Sequence, residues 1–314
     1  MPLLLRILSQ NKSLIGLVIL IAAVSFASPD FLAVGNLLNV LRQTSINAVI
    51  AMGGTFVILT AGIDLSVGSV LALTGAFAAS LIAGGHGLAI AIPVALLAGI
   101  VLGALSGLVI TYGAVQPFIA TLVSMTVLRG AVLVYSNGTP IDASGGPASD
   151  AFGNIGEGYV LGVPIPVVIA AIVFVGCWIA LGQTRFGRHV YAIGGNENVA
   201  RLSGINVTLV KVSVYAVSGF LSALAGIILT ARLESAQPTA GAGYELDAIA
   251  AVVVGGTSLA GGIGSMSGTL IGALIIGVLN NALNLLDVSS YYQMIAKGCV
   301  ILLAVLADRQ GRTS

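Results

Sequence analysis

The sequence predicts an all-α integral membrane protein, a polytopic bundle of about ten transmembrane helices with both termini cytoplasmic. Three observations carry that reading. Of 314 residues, 57% are hydrophobic and 7% charged, whereas soluble domains hold about a quarter charged residues because their surfaces face water. The apolar residues fall in charge-free runs of the length that crosses hydrocarbon, about 20 residues per helix. When about ten crossings are counted, the basic residues segregate to one side of the membrane.

The first run is Ser13 to Pro29 and the second Gln43 to Ile63. Leu65 to Leu128, punctuated by Gly84-Gly85-His86-Gly87 and Thr111-Tyr112-Gly113, makes room for three more, the last ending near Tyr135. Ser136 to Val163, with Asn137-Gly138, Gly145-Gly146-Pro147, Asp150 and Glu157, reads as a loop outside the bilayer, periplasmic by the count below. Pro164 to Leu181 is the sixth span and Val212 to Ala231 the seventh. Ala248 to Leu286, uncharged and too long for one helix, is right for two; Ser290 to Leu306 closes the count.

That order puts Arg6, Lys12, Arg185, Arg188, Arg201, Lys211, Arg309 and Arg312 on one face, which the positive-inside rule makes cytoplasmic. Asp30, Asp142, Asp150, Glu157, Glu234, Glu245 and Asp287 collect on the other, with Arg42 and Arg232. Residues 1–27 imitate a secretory signal; a chain with so many further crossings is expected to keep them as its first helix. The whole chain, 1–314, is expected to form one transmembrane domain, with 183–207 as a cytoplasmic loop and 136–163 as a loop on the opposite, periplasmic side.

Several function classes are excluded on composition. A formal charge of +1 without a basic cluster of interleaved aromatics argues against nucleic acid. Cys177 and Cys299 lie in separate apolar runs and suggest neither a disulfide nor a metal spacing. His86 and His189 lack the neighbours of a zinc site or a nucleophile–base pair. No phosphate-binding GxxxxGK[ST] loop occurs, and the nearest approach to GxSxG, Gly264-Ser265-Met266-Ser267-Gly268, has methionine where the nucleophile belongs. The chain is not expected to be an enzyme, to bind a cofactor or to hold a metal, so any work it does draws on a gradient or a partner.

Glycine recurs every fourth residue at Gly99, Gly103 and Gly107, and again at Gly264, Gly268 and Gly272, ridges that let helices pack closely in lipid or act as a mobile gate. The segment 58–77 faintly echoes 255–274: each joins apolar helices through a glycine-rich, hydroxyl-bearing turn, as in transporters built from repeats. Asp64, Arg129 and Lys297 fall in or beside spans, where a charge is costly and functional by default. Asp64 serves either a pathway or the cap of the helix that begins near Leu65. Arg129 and Lys297 read as structural partners or snorkelling residues.

Within 183–207, Gly194-Gly195 precedes Asn196 as an N-cap, Glu197 in the first turn, Val199 and Leu202 three apart on one face, and Gly204 as the stop. That is a short amphipathic helix at the membrane surface, either an orientation signal or a docking element. Together with Gly187-Arg188 and the run 200–206, it resembles the cytoplasmic loop of permease subunits in bacterial ATP-binding-cassette sugar importers. TAGIDLSVGS (60–69), SAQPTAGAGYELDAIAAVV (235–253) and GTLIGALIIGVLNNALNLL (268–286) are similar to the same family, over about Lys12 to Leu306, and within it to ribose permeases. Ile263 and Ser265 depart from it, since relatives often carry a basic residue in that turn.

The resemblance implies a transmembrane dimer of two permease copies in the bacterial inner membrane, an ATP-hydrolysing subunit on another chain, and a periplasmic binding protein that delivers a monosaccharide. Arg188, Asn196, Glu197, Val199, Arg201, Leu202 and Gly204 would couple to the ATPase. A sugar that sheds water needs a few weak polar partners on an apolar wall. Asn47, Thr60, Asp64 and Ser66 around the first turn, and Thr257, Ser258, Asn280 and Asn281 around the second, are expected to provide them. Glu234, Glu245 and Asp247 would form a negative rim for the binding protein. The rival expectations are an ion-coupled secondary transporter using Asp64, a branched-chain amino-acid permease of the same importer group, and a membrane scaffold.

Overall fold

A computed structural model describes residues 12–310; Arg6 and Arg312 of the charge count lie outside the described residues. Thirteen helices are described: α1 (Lys12–Ala27), α2 (Val34–Leu59), α3 (Val67–Ala83), α4 (Leu88–Tyr112), α5 (Pro117–Tyr135), α6 (Ser149–Glu157), α7 (Ile165–Gln183), α8 (Arg185–Gly195), α9 (Glu197–Leu202), α10 (Val207–Leu233), α11 (Tyr244–Val254), α12 (Met266–Leu285) and α13 (Ser290–Gln310). Two tiny antiparallel ribbons join them. β1 (Ile141–Asp142) pairs with β4 (Ser235–Ala236), and β2 (Tyr159–Val160) with β3 (Val163–Pro164). The architecture is all-α and polytopic.

Among the described residues, five helices, α4, α5, α7, α10 and α12, are long and apolar enough to span a membrane. They divide by burial. In α10 67% of the most apolar window is buried inside the protein, against 22% in α4 and α7 and 17% in α5. Helix α10 is therefore the hub, and α4, α5 and α7 turn most of their apolar surface outward, as lipid-facing helices do. Helix α2 joins α10 at the centre, with its run from Thr44 to Leu59 buried except at Gly54.

The first glycine ridge is a packing device. A Cβ at Gly103 would overlap the Tyr215 carbonyl, and one at Gly107 would come within 2.8 Å of Val212 Cα, so α4 lies backbone to backbone against α10. The second ridge does the same between α11 and α12, where Gly268 abuts the Gly255 carbonyl and Gly272 that of Ala251.

Three elements differ from the sequence reading. The loop 136–163 contains helix α6, whose Phe152 is buried and whose Gly156 sits against the backbone of Arg232, so the loop is folded onto the end of α10. The interval after α7 contains an eleven-residue helix, α8, ahead of the short helix. The expected eighth span is a half-helix: α11 has 11 residues, about 16 Å at 1.5 Å per residue, half the depth of a hydrocarbon core. Its remainder, 255–265, is a glycine-rich turn that buries Thr257, Ser258 and Gly261 and leaves Gly256, Ala260, Ile263 and Ser265 exposed.

Candidate functional site

Helices that stop inside a membrane protein leave carbonyls that water cannot reach, so each must find a partner. Helices α2 and α11 solve this alike. At the end of α2, Ala61 N donates to Ile58 O and Gly62 N to Val57 O; at the end of α11, Gly256 N donates to Val253 O and Thr257 N to Val252 O. Both are Schellman endings with a left-handed residue, Ala61 (φ 58°) and Gly256 (φ 89°). Each leaves one carbonyl over. That of Leu59 accepts Gly262 N at 3.0 Å, and that of Val254 accepts Ser13 Oγ at 2.7 Å. The two breaks thus meet: Leu59 of the first bonds Gly262 of the second, and Gly261 lies against Ala61.

Helix α8 closes over this joint. Thr184 caps it by accepting Gly187 N at 3.2 Å, Tyr191 Oη donates to Gly264 O at 2.8 Å, and Gly194 sits where any Cβ would overlap the Leu59 carbonyl. Val190 and Ile193 are buried, and the Phe186 ring lies 5.9 Å from that of Phe56 on α2. One face of α8 therefore touches both breaks, while Arg185 and Arg188 on the other are exposed.

Helix α9 follows after the single residue Asn196, whose Oδ1 accepts Val199 N at 3.1 Å as an N-cap. Gly204 ends the segment at φ 83°, a left-handed position suited to glycine. Glu197 receives Lys211 Nζ at 2.6 Å and Arg201 Nη2 at 3.1 Å. The Lys211 hydrogen bond, aided by the charges of Lys211 and Arg201, holds the Glu197 carboxyl below its ordinary value. Ala200 turns inward; Val199 and Leu202 are 57% and 88% exposed, an apolar pair presented outward beside Arg201.

Around the first break, Asp64 is buried and fully engaged. Its Oδ1 accepts Ser66 N at 2.9 Å and Ser66 Oγ at 2.6 Å, and its Oδ2 accepts Ser218 Oγ from α10 at 2.8 Å. Tyr215 Oη, one turn away on α10, reaches Ile63 O at 3.3 Å. Thr60 Oγ1 donates to Val57 O. Thr257 and Ser258 lie buried in the second break, and Thr257 Oγ1 has no partner among the described residues.

Other expected pathway residues are not gathered here. Asn280 and Asn281 lie on the last turns of α12, about 22 Å along its axis from Ser265 at 1.5 Å per residue, so they do not surround the second turn. Asn281 instead makes a reciprocal amide pair with Asn36 of α2, at 2.9 and 3.1 Å, and Asn280 Oδ1 is buried without a partner among the described residues. Asn47 is buried in mid-α2, about 20 Å from Thr60 on the same measure.

The acidic trio also separates. Asp247 is not a rim group: it is 4% exposed and accepts Lys297 Nζ at 3.0 Å, because a carboxylate on α11 facing α13 is stable only with a counter-charge. Glu234 is exposed at a left-handed helix end (φ 49°). Glu245 is half-buried, and its Oε1 accepts Gly243 N at 3.2 Å. Arg129 and Lys297 act as structural partners, Arg129 donating to Pro238 O and Ala240 O at 2.7 and 2.9 Å.

The sequence reading passed over Tyr191 and Ser218 and gave Gly194 only as the lead-in to the Asn196 cap; all three hold these elements together. The Gly194-Gly195 pair was the available signal, and it marks a close approach rather than a turn.

A family model described as "Branched-chain amino acid transport system / permease component" matches residues 36–305. The chain belongs to that permease family. It is a multi-pass transport component and not an enzyme. The ribose import permease protein RbsC of Haemophilus influenzae is 64% identical over 303 residues, covering 96% of this chain and 94% of that protein. RbsC of Escherichia coli K12 is 59% identical over the same shares. The D-allose transport system permease protein AlsC of Escherichia coli K12 is 41% identical, over 93% of this chain and 89% of that protein. No solved structure matches.

Proposed function

We propose that this chain is the membrane-embedded permease of an ATP-driven ribose importer in a bacterial inner membrane. The observation that carries the proposal is the 64% identity with a ribose import permease over nearly the full length of both chains, against 41% with an allose permease. An ATP-hydrolysing subunit and a periplasmic ribose-binding protein complete the importer, and two permease copies enclose the path.

In this reading the face bearing α8 and α9 is cytoplasmic, which agrees with Arg185, Arg188, Arg201 and Lys211 there. The exposed Val199 and Leu202, framed by Arg188, Asn196, Glu197, Arg201 and Gly204, dock on the ATPase. Thr60, Asp64, Ser66, Thr257 and Ser258 form the inner end of the path, with Asn47 along it, and Asn280 with Asn281 belongs to its outer end. Glu234 and Glu245 face the binding protein. Docking shifts the access equilibrium only by the difference between its contacts in the two states, so the coupling loop must be tied to elements that move.

The test is uptake in proteoliposomes containing the chain with its ATPase and binding protein, comparing labelled ribose, xylose, galactose and leucine. Ribose uptake that requires ATP and survives collapse of ion gradients is expected. Uptake that follows the gradient and ignores the ATPase, or leucine in place of ribose, sinks the proposal.

A further inference from the structure

We infer that Tyr191 is a positioning residue that binds helix α8 to the second helix break, so that the coupling loop and both breaks shift as one body. The inference deepens the proposed function and rests on α9 being the ATPase contact.

The contacts of α8 fall at helical spacing along one stripe: Phe186 and Gly187, Val190 and Tyr191, Ile193 and Gly194. Each reaches a different part of the joint. Phe186 stacks near Phe56 at the inner end of α2, Val190 and Ile193 enter the core, and Gly194 seats on the Leu59 carbonyl beside Gly262 N. These contacts fasten α8 chiefly to the first break. The second is held to it by the Leu59–Gly262 bond, by backbone contact of Gly261 and Gly262 with Gly194 and Gly195, and, as its one side-chain hydrogen bond from α8 among the described residues, by the Tyr191 hydroxyl on Gly264 O.

Gly264 is where a handle is needed. At φ 158° it precedes the Ser265 cap of α12, and Thr257 crowds its Cβ position, so its carbonyl fixes how α12 begins relative to the α11 turn. A tyrosine reaching that carbonyl from α8 passes displacement of α9, one residue away, to the start of α12. Without the hydroxyl, α8 keeps its apolar seat and its hold on α2. Assembly then survives while transmission to α12 weakens.

Two measurements test this. In proteoliposomes of the complete importer, Tyr191→Phe is expected to reduce ribose transported per ATP hydrolysed by about fivefold, the scale of one lost hydrogen bond. Co-purification with the ATPase and basal ATP hydrolysis are expected to stay at parental levels. A transport-to-ATP ratio indistinguishable from the parent overturns the inference. If the parental complex itself shows no ribose-dependent ATP hydrolysis, the functional proposal falls, and the inference with it.

The second measurement needs no transport. Spin labels are placed at the exposed positions Arg185→Cys and Ile263→Cys in a Cys177→Ala, Cys299→Ser background, and their separation is followed without nucleotide and with trapped ATP. An unchanged separation is expected in the Tyr191 protein and a broadened one with Tyr191→Phe. A change of about 5 Å, one helical turn, with Tyr191 present overturns it, because α8 and the break would then move apart.

Discussion

Lys211 Nζ, in the first turns of α10, lies 2.6 Å from Glu197 Oε2 and so fastens the short α9 helix to the core hub. A six-residue helix has no independent stability, and this pair with the Asn196 cap holds it in place. Because the Glu197 carboxyl is held below its ordinary value of 4.5, its contribution is complete above that value and is lost as pH falls through the lower, folded one. Amide protection factors in α9 should therefore be level from about pH 7 to 5 and fall below about 4.5. Glu197→Gln should flatten that profile. The pair is 39% exposed on the Glu197 side and screened by solvent, so its loss should cost about 0.5 kcal/mol and leave the bundle folded.

Leu202→Asp should leave thermal unfolding unchanged, since the side chain is 88% exposed. It should reduce co-purification of the ATPase and ribose-stimulated ATP hydrolysis by tenfold or more, about 1.4 kcal/mol or greater for an apolar anchor replaced by a charge. Parental stimulation in this variant would remove α9 from the contact with the ATPase.

The membrane class and most of the spans were legible because hydrophobic run length alone specifies them, as for Pro164 to Leu181 and Val212 to Ala231. The coupling segment was legible because Asn196, Glu197 and Gly204 each signal a helix end locally. Helix α8 was not, since its buried stripe holds few large apolar residues between glycines and arginines, and the partners of Phe186, Tyr191 and Gly194 in the two breaks lie more than sixty residues away in either direction. The half-length of α11 escaped for a related reason. A glycine turn that packs against protein on one side is as uncharged as a helix in lipid, so charge-free length cannot tell them apart. Asp247 was misplaced because a carboxylate at a span margin reads as a rim group until Lys297 is brought beside it.

Gly103→Ala should destabilise the detergent-solubilised protein by about 2 kcal/mol, because the new methyl group would overlap the Tyr215 carbonyl and force α4 from α10. Gly176→Ala on α7, where nothing lies within 4 Å of the Cβ position, is the control. It should be neutral or stabilising by up to about 1 kcal/mol, as helix propensity alone dictates. Equal effects in thermal unfolding would mean that the ridge is not a packing contact.

Asp64 is held by Ser66 and Ser218. Asp64→Ala should cost about 2–3 kcal/mol, as the donors of Ser66 and Ser218 lose a buried acceptor. Asp64→Asn keeps an acceptor oxygen and should retain ATP-driven ribose uptake to within about tenfold of the parent, a loss of some 1.4 kcal/mol at most. A carboxylate that carries the coupling ion behaves otherwise: its amide abolishes uptake while the fold stands. Flux measured beside thermal unfolding for both variants separates the two roles.

The Asp247–Lys297 pair joins α11, whose few turns anchor the half-helix, to α13. Lys297→Met leaves a carboxylate that is 6% exposed without its counter-charge. It should cost about 2 kcal/mol, less than the 3–5 typical of wholly buried pairs because Lys297 itself remains 29% exposed. Combining it with Asp247→Asn removes the stranded charge and should recover about half of that loss. The double variant would then be more stable than Lys297→Met alone, which no simple sum of two damaging substitutions allows. Thermal unfolding of the three proteins in one detergent decides it, and additive losses would mean that the two side chains do not interact.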